Sequence, residues 1–347
     1  MVDAICAEIR LQQSYLLTTQ LSTIYFGGGT PSLLIESELA QILETVHQHF
    51  VVLPNAEISL EANPDDLSAE QLKLFLRQGI NRLSIGTQSF NDRHLSHLNR
   101  VHNASQASSS IQLAQDLGLT NLSIDLIYGI SLTNTDAIQP WADDLAQATA
   151  LGVPHISAYC LTIEPQTVFG NWLKKKQLAP VDDDMAAQHF DMLLVHLEQS
   201  GYEQYEISNF SKPNWHSRHN SSYWQHQAYL GIGPSAHSFD GLATRQFNVA
   251  NNQKYIQSIG QGRIPCELDR LSKEDQINEY LLISLRTKWG CNIQKINELT
   301  QFDFVKTKQK TITQFETLGW LTCQNQQLIL TAKGKLFTDK ISSDLFV

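Results

Sequence analysis

The sequence is short of several things that would define simple classes. Five cysteines (Cys6, Cys160, Cys266, Cys291, Cys323) occur in 347 residues, and none forms a CxxC pair. An odd, scattered set excludes a disulfide framework and offers no ready metal motif. Apolar runs are short as well. None approaches the 18 or so consecutive residues that a membrane-spanning helix needs. Basic charge is scarce: 25 Lys and Arg stand against 35 Asp and Glu, a net of −10, so no nucleic-acid partner is expected. The deficit lies in the body. From Pro265 onward there are 11 basic and 10 acidic residues, so the tail is close to neutral. Asp3 and Glu8 interrupt the opening residues, which lack a small-residue cleavage site and do not read as a signal peptide. A cytoplasmic location is the expectation. A chain of this length and a 42% hydrophobic content can bury a large core and suggests about two domains.

What is present is an alternation. Val2, Ile5, Ile9 and Leu16 predict a helix over 2–17, followed by a short strand from Ser22 to Phe26 and the run Gly27-Gly28-Gly29-Thr30-Pro31. Helices over 36–50, 68–78, 91–98, 104–117, 134–150 and 182–199 then alternate with strands over 57–61, 81–87, 121–127, 155–163 and 203–207. Strands alternating with helices of this length predict βαβ units, a parallel sheet and, with six strands, a barrel or a large part of one. The strand faces are unusual for a filled barrel. Leu60, Leu83, Ile85, Leu122, Ile124 and Leu126 mark one face, while Ser59, Glu61, Ser84, Gly86, Gln88, Ser123 and Asp125 mark the other. A polar inner face predicts a lumen kept open for a polar ligand. Residues 211–264 form an aromatic connecting region, and residues 265–347 read as three helices with a two-stranded wing, a winged-helix-like module.

The candidate chemistry follows from that layout. The triple glycine offers bare backbone N–H groups at a strand-to-helix turn. Glu61, Gln88, Asp125 and Glu164 fall at the carboxyl ends of successive strands, where barrel enzymes place working groups. Arg100 offers a guanidinium for a ligand carboxylate. His216, His219, His226 and His237 crowd into 22 residues, without a spacing that matches a zinc motif.

Taken together, GGGTPS at 27–32, EANP at 61–64, NRLSIGTQSFND at 81–92, LNRVHN at 98–103 and SIDLIYGI at 123–130 resemble the radical S-adenosylmethionine family. Within it they most resemble the coproporphyrinogen-oxidase-like branch. ISAYCLTIEPQTVF at 156–169, YEQYEISNF at 202–210, RHNSSYW at 218–224 and LGIGPSAHS at 230–238 extend the likeness to the heme chaperones of that branch, as does AKGKLF at 332–337. The resemblance covers essentially the whole chain. It implies a partial (β/α)6-type barrel over 1–210, lacking its first strand, then the connecting region and the small C-terminal domain. It also implies that Gly28, Gly29, Thr30, Glu61, Gln88, Arg100 and Asp125 contact S-adenosylmethionine, and that His219 of the HNxxYW element contacts heme. Heme would be delivered to heme-requiring respiratory apoproteins. Peripheral membrane association and a homodimer are further expectations. The alternative within the branch is a coproporphyrinogen III oxidase-type oxidoreductase of porphyrin biosynthesis.

One departure bears on cofactors. The family holds a 4Fe-4S cluster on three cysteines spaced CxxxCxxC, and this sequence has no such run. MVDAICAEI resembles the segment that follows it, so the sequence reads as a truncated or mis-started form of a longer protein, not expected to assemble the cluster as it stands. Cys6, alone on an amphipathic helix, reads as a small buried residue rather than a metal ligand.

Overall fold

The computed structural model describes all residues except 133–136, 166–167 and 176–179. In chain order the first part comprises α1 (Val2–Leu11), β1 (Gln20–Phe26), α2 (Glu36–His49), β2 (Val51–Ala62), α3 (Ala69–Arg77), β3 (Arg82–Gln88), α4 (Asp92–His97) and α5 (Ala104–Asp116). It continues through β4 (Leu122–Tyr128), α6 (Ile138–Ala150), β5 (His155–Cys160), α7 (Val168–Lys174), α8 (Asp183–Gln199), β6 (Glu203–Gln204) and β7 (Asn209–Ser211). Next come α9 (Arg218–Trp224), β8 (His237–Phe239), β9 (Thr244–Asn248), α10 (Asn252–Gly260) and β10 (Cys266–Arg270). The last part is α11 (Lys273–Leu285), β11 (Cys291–Asn292), α12 (Ile293–Thr300), α13 (Phe304–Thr307), α14 (Gln309–Thr317), β12 (Leu321–Gln324), β13 (Gln327–Leu330), α15 (Ala332–Lys335) and α16 (Thr338–Leu345). Two compact units result: one holds Met1–Ile24, Leu34–Glu57 and Ser217–Val347, the other Tyr25–Leu33 and Ile58–His216.

A seven-stranded open sheet of order β1-β2-β3-β4-β5-β7-β6 forms a partial barrel with an edge at each end, and from Ile58 onward its strands belong to the second unit. From β2 to β5 the pairing is parallel, as the alternation with helices demands. The expected sixth parallel strand over 203–207 is corrected. Only Glu203–Gln204 is extended there; it pairs with β7, and β7 runs antiparallel to β5. A turn of four residues is too short for a crossover and allows only a reversal of direction. Helix α1 ends at Leu11 rather than residue 17, and α6 begins at Ile138; the expected start of that helix, at 134–136, lies outside the described residues.

The apolar strand face is fully buried: Leu60, Leu83, Ile85, Leu122, Ile124 and Leu126 are 0% exposed. Buried on the helices of the same unit are Leu72, Phe75, Ile111, Ala114, Leu145, Ala148 and Leu193. Local signals set those helices. Ser68 caps α3 by accepting from the Gln71 N–H at 3.1 Å, and Asn103 and Gln106 form a reciprocal capping box on α5.

In the first unit, α1 is anchored by a buried carboxylate. Glu8 accepts from Gln12 Nε2 (2.8 Å), the Gly233 N–H (2.8 Å), Asn248 Nδ2 (2.6 Å) and the Tyr255 hydroxyl (2.5 Å). Beside it Cys6 is 0% exposed, with its thiol toward the Gln41 carbonyl. Strands β8, β9 and β10 form an antiparallel sheet. The C-terminal module has its own core, in which Leu281, Leu285, Ile296, Phe304, Phe315, Leu328 and Ile341 are buried. Its wing has a short third strand, β11, paired with β13, and the expected helix over 304–318 is broken at Lys308 into α13 and α14.

Candidate functional site

The inner face of the sheet divides by depth. Its floor is polar yet packed: Ser59, Ser84, Ser123 and Ser157 are buried, and so is Arg82, at 2% exposure. Ser123 Oγ lies 2.6 Å from His155 Nδ1, and His155 Nε2 lies 2.7 Å from the Tyr205 hydroxyl. Burial holds His155 neutral, well below the ordinary histidine range, with Arg82 and His216 adding to the effect. Around His155 the floor is hydrogen-bonded and closed, and a cavity lies at the carboxyl ends of the strands.

There lies a cavity of about 210 Å³, lined by Gly29, Thr30, Glu61, Asn63, Ser84, Gly86, Gln88, Arg100 and Asp125 among others. Six of the seven residues expected to contact S-adenosylmethionine are thus brought together. Gly28 is not on the wall itself, but its N–H donates to Glu61 Oε2 at 3.0 Å. Glu61 Oε1 accepts from the Tyr25 hydroxyl at 2.7 Å. Both Gly28 and Gly29 have positive φ (73° and 61°), which lets the loop turn its N–H groups inward. A Cβ on Gly27 would sit 2.6 Å from the Tyr25 ring and 3.0 Å from Glu61 Oε1, so the Tyr25–Glu61 pair requires glycine there.

Arg100 is held from two sides: one guanidinium nitrogen donates to Asn63 Oδ1 at 2.7 Å and to the Gly86 carbonyl at 3.2 Å. Asn63 in turn donates to Asp66 Oδ2 (3.1 Å), which also accepts from the Ser32 hydroxyl (2.6 Å). Gln88 reaches the cavity because β3 is irregular between Ile85 and Gln88, where φ turns to 65°. Asp125 is half-buried on the wall. Its carboxyl is pushed up to about 6, by desolvation first; the Ser157 hydroxyl and Arg82 oppose the shift, and Glu61 adds to it. Tyr25 is raised strongly, by desolvation and then by Glu61, and stays a neutral donor. Glu164 is exposed beyond the end of β5 and is not on the cavity wall.

The cavity's donor set suits a zwitterionic amino acid joined to a nucleoside: a carboxylate for an ammonium, a positioned guanidinium for a carboxylate, and carboxyl and amide groups for hydroxyls. A 4Fe-4S cluster is different. All five cysteines are free, Cys6 and Cys291 are buried, and among the described residues no group of three His, Cys, Asp or Glu is placed to hold a metal. The residues of this chain do not fit a cluster. Two of the four crowded histidines are separately engaged: His216 pairs with Glu203 at 2.9 Å, and His237 packs edge-on against Phe247.

His219 lies on α9, whose start is built by Glu57. That buried carboxylate accepts from the N–H groups of Arg218 (3.0 Å) and His219 (2.9 Å), where the helix dipole favours an anion. Ser217 caps the helix through the Asn220 N–H at 3.1 Å. Both ring nitrogens of His219 are occupied, Nδ1 by Thr23 Oγ1 and Nε2 by the Tyr223 hydroxyl, each at 3.0 Å. An aromatic series continues from Tyr223 to Tyr229 and Phe239.

Sequence reasoning missed Tyr25, Asn63, Arg82 and Glu57. Tyr25 and Asn63 adjoin motifs already singled out, and Arg82 shares the inner face with Ser84. Glu57 carries no local signal, because its partner helix begins 161 residues later.

Known proteins share the fold described above. Residues 8–145 match the Radical SAM superfamily and residues 271–337 the HemN C-terminal domain. Coproporphyrinogen III oxidase (HemN) from Escherichia coli superposes with a TM-score of 0.83 at 21% identity, covering 99% of this chain and 82% of that one. The chain therefore has the HemN-like radical SAM fold, a partial barrel followed by the HemN C-terminal domain.

Sequence identity is more specific. Heme chaperone HemW of Bacillus subtilis is 32% identical over 325 residues, 92% of this chain and 84% of the relative. Heme chaperone HemW of Escherichia coli is 38% identical over 248 residues, 70% of this chain and 64% of the relative. The chain belongs to the HemW family of radical SAM proteins. No helix among the described residues is long and apolar enough to cross a membrane.

Proposed function

We propose that this protein binds heme at α9 and its surroundings and hands it to heme-requiring apoproteins of respiration, with the partial barrel binding S-adenosylmethionine. The reading rests first on the similarity to heme chaperones over nine-tenths of the chain. The character of α9 supports it. Tyr223 is 40% exposed, Trp224 is half-buried beside it, and Glu57 fixes the helix from its N-terminus. An amphipathic macrocycle needs apolar, flat contact area with a few polar anchors. His219, braced by Thr23 and Tyr223, contacts the heme.

In the barrel, Glu61 receives the ammonium of S-adenosylmethionine and Arg100 its carboxylate. Gly28, Gly29 and Thr30 line its methionine part, and Gln88 and Asp125 take nucleoside hydroxyls. Bound there, the cofactor supplies a sulfonium-linked adenosyl group. The test is a titration of ferric heme into the purified chain, followed by its Soret band. One equivalent bound, with affinity markedly weakened by His219→Ala, is the expected result. No saturable binding would overturn the reading, and a His219→Ala affinity equal to wild type would remove that residue from the site. Incubation with coproporphyrinogen under anaerobic conditions should give no vinyl product.

A further inference from the structure

The wall of the barrel cavity includes Ser32, Asn63 and Arg100, and one carboxylate is bonded to the first two without lining the cavity itself. It belongs to Asp66, the last residue of the turn Pro64–Asp66 that follows β2. Its Oδ2 accepts from the Ser32 hydroxyl at 2.6 Å and from Asn63 Nδ2 at 3.1 Å. We propose that Asp66 is a positioning residue for the amino-acid end of the site: through Asn63 it sets the guanidinium of Arg100, and through Ser32 it fixes the end of the glycine loop. The groups that face the ligand's carboxylate and ammonium are thereby held together. This rests on the S-adenosylmethionine reading above and names what preorganises that site.

Three observations carry the assignment. The first is the sense of the Asn63 amide. Its amino group faces the Asp66 carboxylate, so Oδ1 faces Arg100 and accepts from it at 2.7 Å. Turning the amide over would set its oxygen against a carboxylate and its amino group against a guanidinium, and neither pair can form a hydrogen bond. Asp66 therefore decides that Arg100 meets an acceptor. With that carboxylate removed, nothing on its side holds the amide to this sense.

The second is what Arg100 still has to offer. Its Nη2 donates to Asn63 Oδ1 and to the Gly86 carbonyl, the latter at 3.2 Å. Among the described residues Nη1 and Nε have no protein partner, and no carboxylate pairs with the guanidinium, so its charge is left for a ligand. The backbone beneath is fixed as well. Asn99 takes φ 55° at the end of α4, and the Arg100 N–H returns to the Leu95 carbonyl at 2.9 Å. Two residues on, His102 is buried with Nε2 3.0 Å from the Thr87 carbonyl. A Cβ at Gly86 would lie 3.3 Å from Arg100 Nη2, so glycine leaves the side chain its place. A long side chain held in this way gives up fewer rotamers when a ligand arrives.

The third is the loop. Ser32 is buried, and its carbonyl accepts from Gln71 Nε2 at 2.9 Å. The run from Gly27 to Ser32 is thus tied at Gly28 to Glu61 and at Ser32 to Asp66. Glu61 and Asn63 stand two residues apart at the end of β2, so both ties return to one short stretch of chain. The ammonium and carboxylate of an amino acid sit on one carbon, at a fixed separation. Receptors already held at a matching separation lose less freedom on binding than two that must each be ordered.

The experiment uses the full chain as wild type, Asp66→Ala, Asp66→Asn, Asn63→Ala and Ser32→Ala, with dissociation constants from isothermal titration calorimetry and far-UV circular dichroism as the check on folding. Two ligands separate the ends of the site. S-adenosylhomocysteine carries the amino-acid end, and 5′-methylthioadenosine keeps the nucleoside and lacks that end. Asp66→Ala and Asn63→Ala should bind S-adenosylhomocysteine at least about tenfold more weakly and methylthioadenosine within about twofold of wild type. Asp66→Asn keeps one oxygen for both donors and should hold S-adenosylhomocysteine within about threefold of wild type. Ser32→Ala should weaken S-adenosylhomocysteine in the wild-type background and add less than about twofold to Asp66→Ala, because it acts through the same oxygen. Equal losses of the two ligands in Asp66→Ala would mark a merely structural role and overturn the assignment, as would S-adenosylhomocysteine binding at wild-type affinity. Asn63→Ala carries the same comparison where Asp66→Ala does not fold. Wild type that binds neither ligand would overturn the S-adenosylmethionine reading and this inference together.

Discussion

Glu61 is the residue on which the proposed S-adenosylmethionine site turns, and Glu61→Gln is its sharpest test. In the structure both carboxylate oxygens are in use, Oε1 toward the Tyr25 hydroxyl (2.7 Å) and Oε2 toward the Gly28 N–H (3.0 Å). A glutamine has one acceptor oxygen and one amino group. Tyr25 can rotate its hydroxyl to accept from that amino group, but the Gly28 N–H cannot change sign. The amide oxygen must therefore stay with Gly28, and the amino group faces Tyr25 and the cavity. Two charge-assisted interactions are then weakened, the loop bond to Gly28 and the contact with the ligand's ammonium. Hydrogen bonds to charged groups contribute about 1.5–3 kcal/mol each, and part of each survives in the amide. A combined loss of about 2–4 kcal/mol corresponds to a dissociation constant roughly 30- to 900-fold higher. Isothermal titration calorimetry would measure it, with S-adenosylhomocysteine as a second ligand. Both should weaken alike, since Glu61 works on the amino-acid end that they share. Tyr25→Phe leaves the carboxylate charged and should cost no more than about tenfold. If Glu61→Gln bound S-adenosylmethionine within threefold of wild type, the assignment of Glu61 to the ammonium would be refuted.

Three further outcomes follow from the buried groups. Glu8→Ala strands up to four donors around an otherwise closed site, so urea unfolding should show a loss of about 3–6 kcal/mol, and a loss below about 1 kcal/mol would contradict the anchoring role of α1. Burial, with His97, His189 and Arg93 adding, lowers His94 to about 4, so its neutral form is favoured in the folded chain and its contribution is complete above the unfolded value of about 6.5. Wild type should therefore lose stability relative to His94→Gln as pH falls from about 6.5 to about 4, and parallel pH profiles would show that His94 does not titrate this way. Gly231→Ala would bring a Cβ to 2.0 Å from the His237 carbonyl oxygen, so that variant should unfold at clearly lower urea, and an unchanged midpoint would mean that the 230–238 loop is free to shift.

The barrel strands were legible because their two faces differ in composition. Leu83 and Ile85 against Ser84 and Gly86 is a period of two that survives any choice of window, and the parallel order followed from the helices between strands. Residues 203–211 were not legible, because Glu203 and Gln204 carry no alternation and the reversal at β7 depends on pairing with β5. The site was readable where chemistry and strand ends coincide, as at Glu61, Gln88 and Asp125. It was opaque where a residue works on another. Asn63 holds Arg100, Tyr25 holds Glu61, and Glu57 holds α9, and each partnership spans a sequence distance that no local pattern encodes.

The central claim is delivery, and it is tested most directly by mixing the heme-loaded chain with an apo-cytochrome subunit and following the Soret band as heme moves between them. The account predicts complete transfer to the apoprotein, with a rate that differs from that of free heme and changes when His219→Ala carries it. Heme retained by the chain, or taken up at the rate of free heme from wild type and His219→Ala alike, would contradict it.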